Sequence, residues 1–207
     1  MTMAVRHFLS SLQSKSNISA ATIFRMTSST PSFAIPSLAD LCDDHVSSPQ
    51  RLSVVTPGLF SSYGKHPRFH GRIETVRCFE SNPMVRTVLS SPGDDRVLVV
   101  DGGGSKRVAI LGDQIAKLAM ENSWAGVIVH GCIRDSAVIN GMDIGVKALG
   151  THPVKSLKSH IGERGVPVDF GDVEFVPGHW VYSDEDGIIV SEGPIHDEGS
   201  NEKKSKL

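Results

Sequence analysis

Gly126-Val127-Ile128-Val129-His130-Gly131-Cys132-Ile133-Arg134-Asp135 decides the fold of this 207-residue chain. The apolar run after Gly126 predicts a strand buried on both faces that stops at His130-Gly131, and such strands belong to parallel sheets covered by helices. Upstream, Gly112-Asp113 closes another apolar run and opens a segment with Ile115, Leu118 and Ala119 on one helical face. Strand, helix, strand in that order predicts an α/β domain. It also puts Cys132-Ile133-Arg134-Asp135 just past a strand's carboxyl end, where open α/β sheets bind ligands.

Outward from this unit, Val97-Leu98-Val99-Val100 predicts a second buried strand, ended by Asp101-Gly102-Gly103-Gly104, with a short strand at Val108 to Leu111. Alternation from Arg72 to Phe79 predicts a half-buried strand. Asn82-Pro83 predicts a helix start, with Asn82 able to cap, Val85, Val88 and Leu89 on its apolar face, and Ser91-Pro92-Gly93 ending it. Ser37 ahead of Leu38, Leu41 and Cys42 predicts a short capped helix. Val166–Val168, Val173–Val176, Trp180–Tyr182 and Ile188–Val190 read as short strands, with turns at Pro177-Gly178 and Asp186-Gly187. The expected organisation is a leader at 1–35, one domain at 36–193 and a charged tail at 194–207.

A formal charge of −2 gives no basic surplus to drive counterion release, so direct nucleic-acid binding is not expected. No stretch approaches the roughly 20 apolar residues of a membrane span. Cys42, Cys78 and Cys132 are an odd set without CxxC spacing, which fits a reducing compartment. The leader is Ser-rich, carries Arg6, Lys15 and Arg25, and holds no acid before Asp40, as organelle transit peptides do. The chain closes Ser205-Lys206-Leu207, the receptor-read peroxisomal signal, so a peroxisome is expected, with the cytoplasm or a leader-directed organelle as the alternative.

Gly102 to Arg107 follows a strand but lacks the third glycine of a dinucleotide fingerprint and the Gly-Lys-Ser/Thr of a P-loop; a glycine turn between strands is expected. Gly112-Asp113-Gln114-Ile115 offers the unpaired amides and partial positive charge of a helix start, which hold carboxylates. Asp113 could equally cap that helix, and the two roles compete for the Ile115 amide. In Arg134-Asp135, the guanidinium matches a carboxylate and the acid suits a hard cation such as Mg²⁺ or Mn²⁺. His66 and His70 read as loop residues without a third metal ligand. His130 and Cys132 suggest a nucleophile only weakly, since no orienting acid is evident.

Twenty residues separate Asp113 from Arg134-Asp135. That spacing resembles the Asp-x20-Arg-Asp signature of the metal-dependent 4-hydroxy-4-methyl-2-oxoglutarate aldolases of the RraA-like family. VLVVDGGGSKRVAILGDQIAKLA (97–119), WAGVIVHGCIRD (124–135), MDIGVKALGTHPVKS (142–156) and DEDGIIVSE (184–192) resemble the family in the same order. The resemblance implies a swivelling β/β/α domain assembled as a homotrimer or hexamer, with the site near a subunit interface. It implies that Gly112, Asp113, Gln114 and Ile115, with Arg134, hold a small 2-oxo acid, and that Asp135 ligates a divalent cation, Mg²⁺ or Mn²⁺. Asp113 would act partly through metal-bound water, and Asp113 and Arg134 would be catalytic. Retro-aldol cleavage to pyruvate and oxaloacetate decarboxylation are the implied activities. Pro177-Gly178-His179 departs from the Pro-Gly-Asp of many relatives, so His179 receives no role. The competing expectation is a non-enzymatic protein that binds and inhibits a ribonuclease or RNA helicase; Asp135 argues against it, because a pure interaction surface has no chemical need for that acid.

Overall fold

The computed structural model describes residues 36–45, 52–159 and 162–196; the Ser-rich leader and the Ser-Lys-Leu ending lie outside them. In chain order the elements are α1 (Leu38–His45), β1 (Ser53–Val54), β2 (Ser61–Tyr63), β3 (Phe69–Arg77), α2 (Pro83–Leu89), β4 (Val97–Asp101), β5 (Ala109–Leu111) and α3 (Asp113–Glu121). There follow β6 (Gly126–Ile133), α4 (Ser136–Ile139), β7 (Gly145–Thr151), β8 (Glu163–Arg164), β9 (Val168–Phe170), β10 (Val173–Phe175), β11 (Trp180–Ser183) and β12 (Ile188–Ser191). The large sheet runs β1-β12-β11-β3-β4-β6-β7-β2, with β5 beside β6 and β8 beside β3, while β9 and β10 form a separate hairpin. Its centre, β3-β4-β6-β7, is parallel and its flanks are antiparallel. This is the single swivelling β/β/α domain.

Period-two alternation along β4 explains the layering. Leu98 and Val100 pack with Val85, Val88 and Leu89 of α2 and with Ile115, Ala116 and Ala119 of α3. Val97 and Val99 point the other way, into a second core shared with Ile73, Val181 and the hairpin's Phe170 and Phe175. Each such aliphatic side chain contributes about 1.5–3 kcal/mol on burial. A third, smaller core joins Leu38 and Leu41 of α1 to Tyr182, Ile189 and Ile195.

Two contacts shape the sheet. Lys147, at the middle of β7, is only 3% exposed. Its ammonium donates to Ser62 Oγ at 2.7 Å and to the Asp184 carbonyl. Asp184 follows β11, far from β7 in strand order, so this side chain ties the two flanks of a curled sheet together. Burial pushes the Lys147 pKa down, against the opposing pull of Asp184 and Glu185. The Asp184 carboxylate in turn accepts the amides of Leu38 at 2.9 Å and Asp186 at 2.8 Å, which fixes the start of α1 and the β11–β12 turn. The second contact is steric. The Phe69 ring lies flush against the backbone of two strand starts: a Cβ added at Gly126 or Gly145 would stand 2.3 or 2.2 Å from it.

Several sequence expectations shift. The β3 strand begins at Phe69, where it pairs with Ser183, and not at Arg72. The β6 strand does not stop at His130-Gly131 but continues to Ile133, because β5 and β7 pair with its last residues after an irregularity in register. Asn82 makes no capping bond; its amide donates to the Ile110 carbonyl at 2.8 Å and ties α2 to β5. The glycine segment is the expected turn between β4 and β5, with Gly103 and Gly104 at positive φ. His70 is no loop residue: it sits in β3, stacked on Tyr182 at 5.7 Å and on Trp180 at 6.3 Å, with His196 edge-on at 4.9 Å.

Two outcomes follow from these burials. Replacing Lys147 with Met leaves the Asp184 carbonyl and Ser62 hydroxyl short of a donor, and chemical denaturation should show a loss of about 1–3 kcal/mol. Burial, and then the charge of His196, lower the His70 pKa from 6.5 to about 4. Between those values the unfolded chain binds a proton that the folded chain refuses, so this group's stabilisation is lost as pH falls from 6.5 towards 4. His70→Phe, which keeps a ring in the stack, should lose less Tm than the wild type over that interval in calorimetry; an equal loss would remove His70 as the cause.

Candidate active site

The site begins with how α3 starts. Gly112, extended at φ −130° and ψ −179°, is the N-cap, and Asp113 is the first helical residue. The Asp113 side chain makes no capping bond, so the capping role that the sequence allows it falls to the Gly112 position instead. The Gly112 carbonyl accepts the amides of Ile115 at 3.1 Å and Ala116 at 3.0 Å. The Ile115 amide is therefore engaged within the turn, and its side chain belongs to the core at 6% exposure. The first-turn amides of Asp113 and Gln114 are those that a helix leaves without intrahelical partners.

The chain then returns to its starting place. The nine residues of α3, the exit at 122–125 and the eight residues of β6 account for the spacing between Asp113 and Arg134. Leu111 pairs with Ile133 in the parallel β5–β6 ladder, and the Arg134 amide donates to the Leu111 carbonyl at 2.9 Å. Arg134 thereby lands beside Gly112. Asp135 adopts φ +55°, a left-handed conformation that Asp tolerates better than most residues, and its Oδ2 lies 3.2 Å from Arg134 Nε. A Cβ on Gly112 would stand 3.1 Å from Arg134 Nε and 3.1 Å from Asp135 Oδ2. Only a residue without a side chain leaves that pair undisturbed.

Gly112, Asp113, Gln114, Ile115 and Arg134 line one cleft of about 240 Å³; Asp135 is not part of that lining but contacts Arg134. Both charged side chains are more than a third exposed, within reach of a solute. Sequence reasoning missed the opposite lining. Arg86 of α2 and Lys155 and Lys158 of the loop after β7 share the cleft, together with Ser156. The loop is held by Ala109, whose amide donates to the Val154 carbonyl and whose carbonyl accepts the Ser156 amide. The only available signal was the block at 142–156, and it does not say which lysines face a ligand. With Arg134, these cations outnumber the cleft's one acid, Asp113, so the space favours anions.

The donor set also constrains any cation. Among the described residues no three His, Cys, Asp or Glu side chains gather as a metal-binding group. One or two carboxylates fit Mg²⁺ or Mn²⁺ completed by water and substrate oxygens, and do not fit zinc.

His130 does have an orienting acid, contrary to expectation: its Nδ1 lies 3.2 Å from Asp101 Oδ1, and its ring stacks on Phe170 at 4.4 Å. Burial raises the Asp101 carboxyl, but hydrogen bonds from His130 and the Gly103 amide, with the charges of His130 and Arg77, bring it below the usual range. Cys132 is 2% exposed, and burial raises its thiol pKa against the opposing charge of Lys106, so it offers no thiolate. His179 contributes backbone only in this structure, its carbonyl accepting the Ile73 amide at 2.7 Å.

Known proteins bear on this geometry. The family model described as RraA-like, Aldolase/RraA, matches residues 38–190. A protein of Laribacter hongkongensis with the provisional name 4-hydroxy-4-methyl-2-oxoglutarate aldolase is 52% identical over 157 residues, covering 76% of this chain and 96% of its own. The crystal structure of a Geobacillus kaustophilus protein titled S-adenosylmethionine:2-dimethylmenaquinone methyltransferase superposes with a TM-score of 0.72 at 50% identity, over 77% of this chain and 96% of that one. The RNA-processing inhibitor RraA from Thermus thermophilis superposes with a TM-score of 0.73 at 40% identity, over 80% and 97%. The chain described here belongs to the RraA-like family.

Proposed function

We propose that this chain is a divalent-cation-dependent lyase that cleaves 4-hydroxy-4-methyl-2-oxoglutarate to pyruvate and also decarboxylates oxaloacetate. The observation that carries the reading is the meeting of the α3 start with Arg134 in one cation-rich cleft, with the Asp135 carboxylate 3.2 Å from the Arg134 guanidinium. The aldolase name borne by relatives about half identical to this chain points the same way.

Both reactions leave negative charge on a pyruvate enolate. A cation held by Asp135 supplies Lewis-acid stabilisation of that charge. Arg134 and the Asp113 and Gln114 amides fix the substrate's 2-oxo acid carboxylate and keep the 2-oxo group in one orientation. The Asp113 carboxylate, unused as a cap, is available to move a proton to or from the reacting carbons through water. Two lysines, Lys155 and Lys158, line the cleft, so the response to a chelator separates the cation-dependent route from one through a lysine imine. Assembly as a homotrimer or hexamer belongs to the same proposal, supported by Phe79 and Leu157, large apolar side chains left 54% and 60% exposed. The likeness to the Thermus inhibitor favours a second reading, a binding protein without turnover.

Purified protein with Mg²⁺ or Mn²⁺ and either substrate should release pyruvate, and a chelator should abolish it. Asp135→Asn keeps a residue suited to the left-handed backbone, so it should fold normally while losing Mn²⁺ affinity in equilibrium dialysis and nearly all turnover. Chelator-resistant turnover, with Asp135→Asn as active as the wild type, would sink the metal-lyase reading. Gly112→Ser separates stability from chemistry in another way. The new hydroxyl is a good cap, so stability should hold or rise. The new Cβ presses on Arg134 and Asp135, and turnover should fall by about tenfold or more. Full turnover in Gly112→Ser would show that the close approach is incidental.

A further inference from the structure

Arg86 and Lys155 have no part in the chemistry described so far, yet both line the cleft. Arg86 projects from α2, and its nearest polar contact is a long one, 3.5 Å to Gln114 Oε1. Neither residue has a carboxylate within ion-pair distance among the described residues. Their backbones are well anchored: α2 is tied to β5 by Asn82, and Lys155 bridges to Ala109 in a parallel pairing. Ser156, 5% exposed, also contributes to the lining beside Lys155, while its hydroxyl is buried without a hydrogen-bond partner among the described residues.

We propose that Arg86 and Lys155 form a second carboxylate subsite, apart from the one at Arg134, which selects 2-oxo acids bearing a second carboxylate and biases the site towards cleavage that keeps that carboxylate charged. The inference rests on the lyase reading above. Its consequence comes from where charge goes. In retro-aldol cleavage the C3–C4 bond breaks and its electron pair stays on C3 as the pyruvate enolate. The C4 hydroxyl gives up its proton, C4 becomes the carbonyl of a second pyruvate, and the enolate carbon takes a proton back. The C5 carboxylate, borne on C4, remains an anion throughout, so cations beside it bind ground state and transition state alike. In oxaloacetate decarboxylation the same bond breaks, but the C4 carboxylate departs as neutral CO₂. Cations beside that group stabilise the ground state and lose their partner in the transition state. Arg86 and Lys155 therefore help the first reaction through KM and slow the second through kcat.

The test uses the full chain with Mg²⁺ and three measurements: cleavage of 4-hydroxy-4-methyl-2-oxoglutarate, decarboxylation of oxaloacetate, and exchange of pyruvate methyl protons in deuterium oxide, which needs only the Arg134 half of the cleft. Arg86→Leu and Lys155→Met should each raise KM for cleavage by about tenfold relative to KM for pyruvate exchange. They should also raise the ratio of decarboxylation kcat to cleavage kcat, and Arg86→Lys should recover part of both effects. Lys117→Met, outside the cleft on α3, serves as the charge-matched control that alters neither ratio. Unshifted ratios in both cleft variants, or parallel loss of cleavage and pyruvate exchange, would overturn the subsite. A wild type that performs none of the three reactions would instead overturn the lyase reading on which the subsite depends.

Discussion

The amide of Arg134 donates to the carbonyl of Leu111, and the cleft depends on the return of the chain that this bond marks. A helix start and a strand end lie far apart in sequence. They become neighbours only because β5 and β6 are parallel and joined by α3. Helix length, exit and strand length together set the spacing, so an insertion within α3 or β6 would rotate or displace Arg134 relative to the first-turn amides. The glycine at 112 is the complement of that bond, since the approach it permits leaves the Arg134–Asp135 pair room to keep its geometry.

The rest of the domain keeps this return rigid. Leu98, Val100, Ile133 and the buried side of α3 form one core, and the opposite side of β4 feeds another. A sheet of this length would splay without something joining its flanks, and the Lys147 ammonium supplies that link at Asp184. The same aspartate holds the first turn of α1, so one buried carboxylate and one buried ammonium organise the flanks and the start of the domain. Rigidity on this side contrasts with the cleft, where Arg86, Lys155 and Lys158 are exposed and in no ion pair among the described residues.

What could be read from the sequence was set by the range of the interactions. The β4, α3 and β6 segments were legible because apolar runs and periodicity are local, and the Asp113 to Arg134-Asp135 spacing was legible because one supersecondary unit contains it. Boundaries failed where tertiary pairing overrode local signals: Gly131 looks like a stop but continues β6 between two partners, and Asn82 looks like a cap but serves Ile110. The β7 strand gave no strand signal, because Lys147 interrupts it and the groups that satisfy that lysine lie elsewhere in the chain. Arg86 and Lys155 were indistinguishable from solvated surface charges until the fold set them around one space. The part of the cleft built by the α3 start and Arg134 is thus local in sequence, and the part built by Arg86 and Lys155 is not.

The Phe69 ring, fitted against Gly126 and Gly145, has a consequence for how such a sequence can drift. Three positions distant in the chain form a single steric character. A methyl gained at either glycine meets an aromatic ring with no room to retreat, and a smaller residue at 69 leaves a void that costs several kcal/mol (about 3–5 for Phe to Ala). Either change alone is penalised, but a smaller side chain at 69 accompanied by alanine at 126 exchanges volume for volume, whereas at 145 the His66 carbonyl, 2.3 Å from an added Cβ, still blocks it. Divergence at this corner should therefore proceed by paired steps, and lineages that crossed it would show positions 69 and 126 covarying, with glycine kept at 145, while the surrounding aliphatic core changed one residue at a time.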